Sequence, residues 1–350
     1  MKVLSLFDGM SCGQIALSKL GISVSTFYAS EIDKFAIKVT QNNFPDTIQL
    51  GDITNWQYWD IDFSTFDLII GGSPCQGFSM AGKQLAFDDP RSKLFFTFVD
   101  ILNHVKSLNP KVKFLLENVR MKKDHLDVIS SFVNVTPIAI NSSLVSAQNR
   151  IRYYWTNLDY SSIKNKNIKV KDILDEQIQE ETIQGEGWHT WFLKNKDFQL
   201  AKKYSIILND VDKAITMTAR QYASWGGNFV EIDSSKLNFI GGFTKGSRID
   251  SKNCLSRNFR EGARVYDIDG KAATLTSQSK GSVGGHSGLY GKVEEGRVLY
   301  RRLSVKECCR LQTVPDNYFE GSEVSSSQAY KMLGNGWTVD VIVEFLRSLK

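Results

Sequence analysis

The apolar run Phe66-Asp67-Leu68-Ile69-Ile70 feeds directly into Gly71-Gly72-Ser73-Pro74-Cys75-Gln76-Gly77-Phe78-Ser79, and this junction constrains the chain more than any other stretch. A short continuous apolar run predicts a strand buried on both faces, the habit of a parallel sheet packed between helices. Two glycines and a proline then preset a sharp turn, so Cys75 is expected at the carboxyl end of that strand. Open α/β sheets keep their sites along that edge. A free cysteine is most often a small buried hydrophobe. Here small and polar residues on both sides leave the thiol addressable instead.

Other segments end the same way. Lys2 to Phe7 predicts a first strand, Asp8 to Gly13 a turn, and Gln14 to Leu20 a helix closed by Gly21. Such a Gly-rich turn is either a bare connection or a place where a ligand meets backbone at a helix N-terminus. Ser25 to Ser30 predicts a second strand, followed by Glu31-Ile32-Asp33 and a helix over 34–43. An acid about 20 residues after a Gly turn is placed for ribose hydroxyls, or else Asp33 simply caps the helix with help from Glu31. Thr47 to Leu50 predicts a third strand running into Gly51-Asp52-Ile53, with Asp52 at the same edge and in reach of an adenine amino group.

The Cys75 loop is expected to extend to about Arg91, and a loop of that length in a compact domain tends to be a lid. Apolar spacing at Leu94, Phe95, Phe98, Val99, Ile101 and Leu102 then predicts a helix over 92–108. Val112 to Leu116 predicts a strand ending in Glu117-Asn118-Val119. Glu117 is there either as an ordinary strand-end acid or as a second reactive group on the edge that carries Cys75. Strands are expected over 135–140 and 151–156, with Gln148-Asn149-Arg150-Ile151-Arg152 between them. Arg150 and Arg152 share a face, as a solvated cationic surface or as a grip on a base oxygen, a phosphate or Glu117.

From about 164 to 298 the strand and helix alternation fades and Gly, Ser, Asn and Thr become frequent, which predicts a second lobe. Basic residues from Arg220 to Lys280 and the aromatic Trp188, Trp191, Tyr222 and Trp225 suit a wall for nucleic acid. Helical texture returns near the end: Ser304 is placed to cap a helix with Glu307, and 329–349 predicts a helical stretch broken by Gly334-Asn335-Gly336 and folding back onto the first lobe. With 42% hydrophobic and 23% charged residues, the 350-residue chain has the composition of a globular protein, not a disordered one. A formal charge of +5 is compatible with a polyanionic partner without establishing one. Five cysteines, Cys12, Cys75, Cys254, Cys308 and Cys309, include no Cys-x-x-Cys pair, so neither a disulfide framework nor a metal site is expected. The early interruption at Asp8-Gly9 and the lack of long apolar runs point to the cytoplasm and away from membranes.

Taken in order, these motifs resemble those of the DNA (cytosine-5) methyltransferases across nearly the whole length. That likeness rests on Phe7-Asp8-Gly9 with Gly13, Glu31, Asp52-Ile53, Pro74-Cys75-Gln76, Glu117-Asn118-Val119, Gln148-x-Arg150-x-Arg152, the run from Arg302 through Gln312 to Asp316, and Gly334-Asn335-Gly336. It implies an α/β, Rossmann-like, S-adenosylmethionine-dependent catalytic domain over 1–163, a smaller irregular target-recognition domain over 164–298, and a C-terminal segment over 299–350 returning to the first. It implies catalytic roles for Cys75, Glu117, Arg150 and Arg152. Cofactor contacts are implied for Phe7, Asp8, Gly9, Gly13, Glu31, Ile32, Asp52, Ile53, Pro74, Leu94, Asn335 and Trp337. Substrate contacts are implied for Gln76, Ser79, Arg91, Asn118, Gln148, Arg220, Thr274 and Thr276. Double-stranded DNA is the implied partner of a monomer, with a cognate restriction endonuclease as a second. Two departures stand out: Ser5 replaces the acid usual before Phe7, with Asp8 following instead, and Gly334-Asn335-Gly336-Trp337 stands where Gly-Asn-Ser-Val is usual. Both resemble the animal de novo branch.

Carbon 5 of cytosine is a poor nucleophile, so the implied chemistry begins with a Cys75 thiolate adding to carbon 6. Glu117, neutral or sharing a proton, would hydrogen-bond the ring edge, and Arg152 would steady the carbonyl oxygen and hold Glu117 or Cys75. None of these atoms is reachable in a stacked duplex, so the base must flip out. A transfer RNA methyltransferase of the same fold, a non-catalytic nucleic-acid binder and a thiol redox protein are the alternatives.

Overall fold

The computed structural model describes residues 1–74, 93–175, 184, 186–219, 221, 226–233, 239–244, 247–249, 264–267, 289–291 and 298–350. Its strands are β1 (Lys2–Leu6), β2 (Thr26–Ser30), β3 (Ile48–Gln49), β4 (Leu68–Gly71), β5 (Lys113–Val119), β6 (Ile138–Asn141), β7 (Ile151–Thr156), β8 (Ile206–Ile207), β9 (Asn228–Asp233), β10 (Phe239–Thr244), β11 (Ser247–Ile249), β12 (Arg264–Asp267), β13 (Leu289–Gly291) and β14 (Val298–Arg302). Its α-helices are α1 (Cys12–Leu20), α2 (Lys34–Asn43), α3 (Lys93–Leu108), α4 (Lys123–Val133), α5 (Glu186–Ala201), α6 (Val305–Leu311), α7 (Ser326–Asn335) and α8 (Val339–Leu346).

One unit comprises Met1–Ile173, Thr216–Arg220 and Val305–Lys350. Its sheet runs β3-β2-β1-β4-β5-β7-β6, parallel from β3 to β5, with β7 antiparallel to both of its neighbours. The chain winds outward from β1 in one direction through β2 and β3, then resumes at β4 on the other side of β1. That reversal opens a crevice at the carboxyl ends of β1 and β4, where doubly wound sheets bind ligands. The central strands β4 and β5 are buried along nearly their whole length, as their apolar runs predict. On one face Leu4, Leu6, Ile69, Phe114, Leu116 and Trp155 pack with Phe95, Phe98 and Leu102 of α3. Each large side chain buried there contributes roughly 1.5–3 kcal/mol. On the other face Tyr154 meets Phe345 of α8, ring centroids 4.8 Å apart. Lys19 of α1 is tied to Asp340 of α8 at 2.8 Å, so α8 lies against the first helix.

A second unit comprises Leu174–Ile215 and Gln221–Ser304. It holds a three-stranded sheet, β14-β9-β8, and a four-stranded one, β11-β10-β12-β13. Trp188 and Phe192 of α5 stack at 4.6 Å and meet Phe229 of β9, giving this unit its own small core.

The boundaries differ from those read in the sequence. Residues 164–173 stay with the first unit, because the Lys166 N–H donates to the Leu144 carbonyl and Arg310 Nη1 to the Ile173 carbonyl. Residues 216–220 return to it as well, held where the Met217 N–H donates to Gln148 Oε1 at 2.7 Å. Residues 299–302 belong instead to the second unit, since β14 pairs antiparallel with β9. Helix α5 lies in a stretch that its turn-forming composition marks as irregular. The described residues contain no helix long and apolar enough to cross a membrane.

Candidate active site

The carboxyl ends of β1, β2, β4 and β5 enclose, with the end of α7, a cavity of about 380 Å³. Its wall includes Phe7, Asp8, Gly9, Glu31, Asp33, Gly72, Ser73, Pro74, Glu117, Asn118, Arg150, Arg152, Lys331, Asn335 and Trp337.

The first βα turn holds its shape through unusual backbone. Phe7, Gly9 and Ser11 all take left-handed conformations, at φ 58°, 59° and 60°. Two of the three are not glycine, which stores strain of a kind that persists where surroundings fix it. Here Glu31 does the fixing: its Oε2 accepts the Gly9 N–H, and its Oε1 accepts the N–H groups of Ile32 and Asp33, each at 2.8 Å. Asp33 itself caps α2 by accepting from the Phe35 N–H, and its other oxygen meets Lys331 Nζ at 2.8 Å. The cap is thus made by Asp33, and both acids line the cavity wall.

Asp8 is held by the Ser5 hydroxyl, which donates to Oδ1 at 2.5 Å, while the buried Oδ2 accepts no hydrogen bond among the described residues. Burial pushes its carboxyl up to about 7, against the hydroxyls of Ser5 and Ser11 and with the Glu31 charge adding to the rise. Ser5, where the resemblance leads one to expect an acid, is therefore the group that orients one.

Across the cavity Glu117 is buried at the carboxyl end of β5, 8% exposed. Arg152 Nε lies 3.1 Å from Oε1, and the Trp337 indole N–H donates to Oε2 at 3.1 Å. Burial raises the Glu117 carboxyl above its ordinary value, and the charges of Arg152 and Arg150 and the Trp337 donor pull it back. Next to it, Asn118 Nδ2 donates to Ser73 Oγ at 3.2 Å, tying β5 to the segment that follows β4. Gly72 leaves room for this close approach, since a Cβ there would lie 3.0 Å from Trp337 Nε1 and 3.1 Å from Glu117 Oε2.

The two arginines do different work. Arg152 faces Glu117. Arg150 is 3% exposed and spends its guanidinium on backbone carbonyls: Nη1 on Met217, Nη2 on Gly334 and Gly336, at 2.9–3.1 Å. It braces the segment that carries Asn335 and Trp337.

Six residues expected at a ligand site lie off the cavity wall. Gly13 lies within α1, where a Cβ would stand 2.2 Å from Ile70 Cδ1, so its absent side chain serves helix-on-sheet packing. Ile32 is 74% exposed. Asp52 caps a 3₁₀ turn by accepting from the Thr54 N–H and hydroxyl, and Ile53 belongs to the core. Leu94 packs against that core, and Gln148 joins Met217 to the Leu311 carbonyl. Cys75, Gln76, Ser79, Arg91, Arg220, Thr274 and Thr276 lie outside the described residues. Lys331 was missed although a signal existed: it sits four residues before Asn335, hence on the same helical face.

A sequence profile described as C-5 cytosine-specific DNA methylase matches residues 1–350. The chain is 31% identical over 316 residues to the orphan methyltransferase M.Rho11sI of Bacillus phage rho11s, covering 84% of this chain and 61% of the relative, so it spans less than two thirds of that protein. It is 31% identical to the type II methyltransferase M1.ScrFI of Lactococcus lactis subsp. cremoris, covering 97% and 76%, and 27% identical to M.HhaI of Haemophilus parahaemolyticus, covering 98% and 92%. Among solved structures it is similar to the Entamoeba histolytica methyltransferase EhMeth, with TM-score 0.63, 15% identity and coverage of 100% and 97%. The S. pombe Dnmt2 methyltransferase gives TM-score 0.58 at 15% identity, covering 100% and 97%. At that identity the likeness establishes the fold alone.

Proposed function

The chain belongs to the C-5 cytosine-specific DNA methylases, and we propose that it acts as a DNA (cytosine-5-)-methyltransferase, moving a methyl group from S-adenosylmethionine to carbon 5 of a cytosine flipped out of duplex DNA. The observation that carries this proposal is one cavity with two differently equipped walls. One wall, at β1 and β2, offers a nucleoside its carboxylate and backbone. The other, at β4 and β5, presents a buried carboxyl beside the segment that leads into Cys75.

The residues present suit the cofactor. Glu31 keeps lone pairs for ribose hydroxyls beyond those its own turn occupies, and the buried Asp8 Oδ2 accepts no hydrogen bond among the described residues. Phe7, Asp8, Gly9, Glu31, Asn335 and Trp337 would hold it. When bound, S-adenosylmethionine supplies an electrophilic methyl group.

What the chain's own residues do follows from their chemistry. Cys75, one residue after Pro74, adds as thiolate to carbon 6 of the flipped base and makes carbon 5 nucleophilic. Glu117, its carboxyl raised by burial, meets N3 and the exocyclic amine and offsets charge as it develops on the ring. Arg152 holds Glu117 from the side and offers its remaining N–H groups to the base carbonyl. Loss of the carbon-5 proton and expulsion of the thiolate restore Cys75. Duplex DNA is the partner this function requires, and a monomer residing in the cytoplasm, with a cognate restriction endonuclease, is the setting that goes with it.

Single-base mapping of cytosine methylation in a methylation-deficient bacterial host tests the proposal. Expression of the chain is expected to methylate one short motif, and Cys75→Ser to abolish it. Unmethylated DNA together with methylated transfer RNA would transfer the proposal to an RNA substrate.

A further inference from the structure

Trp337 has so far been one wall residue among several, and the resemblance gives it only a cofactor contact. Its indole N–H does something more specific. It donates to Glu117 Oε2 at 3.1 Å while Arg152 occupies Oε1, so among the described residues each oxygen of this buried carboxyl has one fixed donor. We infer that Trp337 is a positioning residue for Glu117: its N–H fixes the plane of the carboxyl toward the cavity and sets how readily that carboxyl takes up a proton. The inference deepens the methyl-transfer proposal and rests on it for the part Glu117 plays.

The hydrogen bond is built from several sides. Gly72 leaves room for it, as any Cβ at that position would press on both partners. The Trp337 backbone is fixed by neighbours on each side: Arg150 Nη2 holds the Gly336 carbonyl, the Cys12 thiol meets the Trp337 carbonyl at 3.8 Å, and Thr338 Oγ1 donates to Gln312 Oε1 at 2.8 Å. An indole carried on so fixed a segment presents its N–H in one place.

A donor aimed at a carboxylate stabilises the charged form. Among the described residues, the titratable and charged groups facing Glu117 are Arg152 and Arg150, the Tyr154 phenol opposite it in the β5–β7 register, and the Cys12 thiol. Burial holds Tyr154 and Cys12 well above their ordinary values, so both stay neutral near pH 7. Burial brings Arg150 down to about 9, which still leaves it charged near pH 7. Unlike the two arginines, Trp337 can be stripped of its donor without changing a formal charge.

The test replaces Trp337 with benzothienylalanine, which keeps the ring's size and lacks the N–H, and separately with Phe. The protonation midpoint of Glu117 is read by infrared difference spectroscopy across a pH titration, with the carboxyl band assigned by Glu117→Gln. Loss of the donor is expected to raise the midpoint by about one unit, a tenfold gain in proton affinity, and to move the Glu117-dependent limb of the single-turnover pH profile in the same direction. A midpoint unmoved in the isosteric variant would overturn the inference, whatever happens to activity. The band reports on Glu117 in the wild-type protein even without turnover. An inactive wild type that still shows the shift would therefore sink the methyl-transfer proposal while upholding this hydrogen bond.

Discussion

Replacing Arg150 by Met separates a bracing role from a catalytic one. The guanidinium is 3% exposed and donates to the carbonyls of Met217, Gly334 and Gly336 at 3.0, 3.1 and 2.9 Å. Met fills much the same volume but donates nothing, so buried acceptors lose partners at about 1–3 kcal/mol each. Gly336 O keeps a weaker donor in Gln312 Nε2 at 3.4 Å, and the arginine no longer has to be desolvated. The net loss should be about 3–5 kcal/mol, a large part of the stability of an ordinary domain. At roughly 2–4 °C per kcal/mol for a unit of this size, thermal unfolding followed by circular dichroism should fall by roughly 6–20 °C. Affinity for S-adenosylmethionine should weaken in step, because the braced segment carries Asn335 and Trp337. A variant that unfolds within a degree or two of wild type yet loses all turnover would refute the bracing role and place the guanidinium on the substrate.

Further consequences follow from other contacts. Gly334→Ala should cost about 3 kcal/mol in urea unfolding, since its Cβ would stand 2.2 Å from the Ala219 nitrogen, which is backbone and cannot swing aside. Asp8, raised from 3.8 to about 7, binds a proton more tightly when folded. Its contribution is fully present below pH 3.8 and is lost as pH rises towards 7, so Asp8→Asn should flatten that decline and leave the protein on the order of 2 kcal/mol more stable at pH 8, measured as unfolding free energy against pH. Asp340 behaves in the opposite sense. Although burial opposes it, Lys166 and Lys19 hold its carboxyl below the usual value, so its stabilisation exists at neutral pH and is lost on acidification. Both lysines are partly exposed, so Asp340→Asn should cost only about 1 kcal/mol at pH 7, with a flatter acid limb.

What the sequence reveals here is decided by how far apart the interacting residues lie. The strands of the parallel core are legible because burial on both faces leaves runs such as Leu68-Ile69-Ile70, and their edge is legible because each run stops at Gly or an acid. The cap made by Asp33 follows from local spacing, two residues from donor to acceptor, whereas Asp52, expected at an adenine, makes the same kind of cap on a 3₁₀ turn. The residues around Glu117 combine legible and illegible parts. Its position at the end of β5 could be read, whereas its partner Trp337 stands 220 positions away and no periodicity connects the two. Arg150 has the same difficulty: the sequence shows two arginines with a shared face, but which of them meets a carboxylate and which meets carbonyls is fixed by where 217 and 334–336 pack. Helix α4 is legible in Leu126, Ile129 and Val133, which recur at helical spacing, whereas the apolar residues of α5 gather on no single face.

The most direct test of the account uses duplex DNA with 5-fluorocytosine at the methylated position. Fluorine cannot leave carbon 5 as a proton does, so an adduct formed by Cys75 at carbon 6 has no route to elimination once the methyl group is in place. A complex stable to denaturant is expected, formed only with S-adenosylmethionine, whose DNA-linked peptide contains Cys75; Cys75→Ser should give none, and Glu117→Gln should form it far more slowly. Product methylated at carbon 5 of ordinary cytosine with no such complex, or with the adduct on another residue, would contradict the central claim.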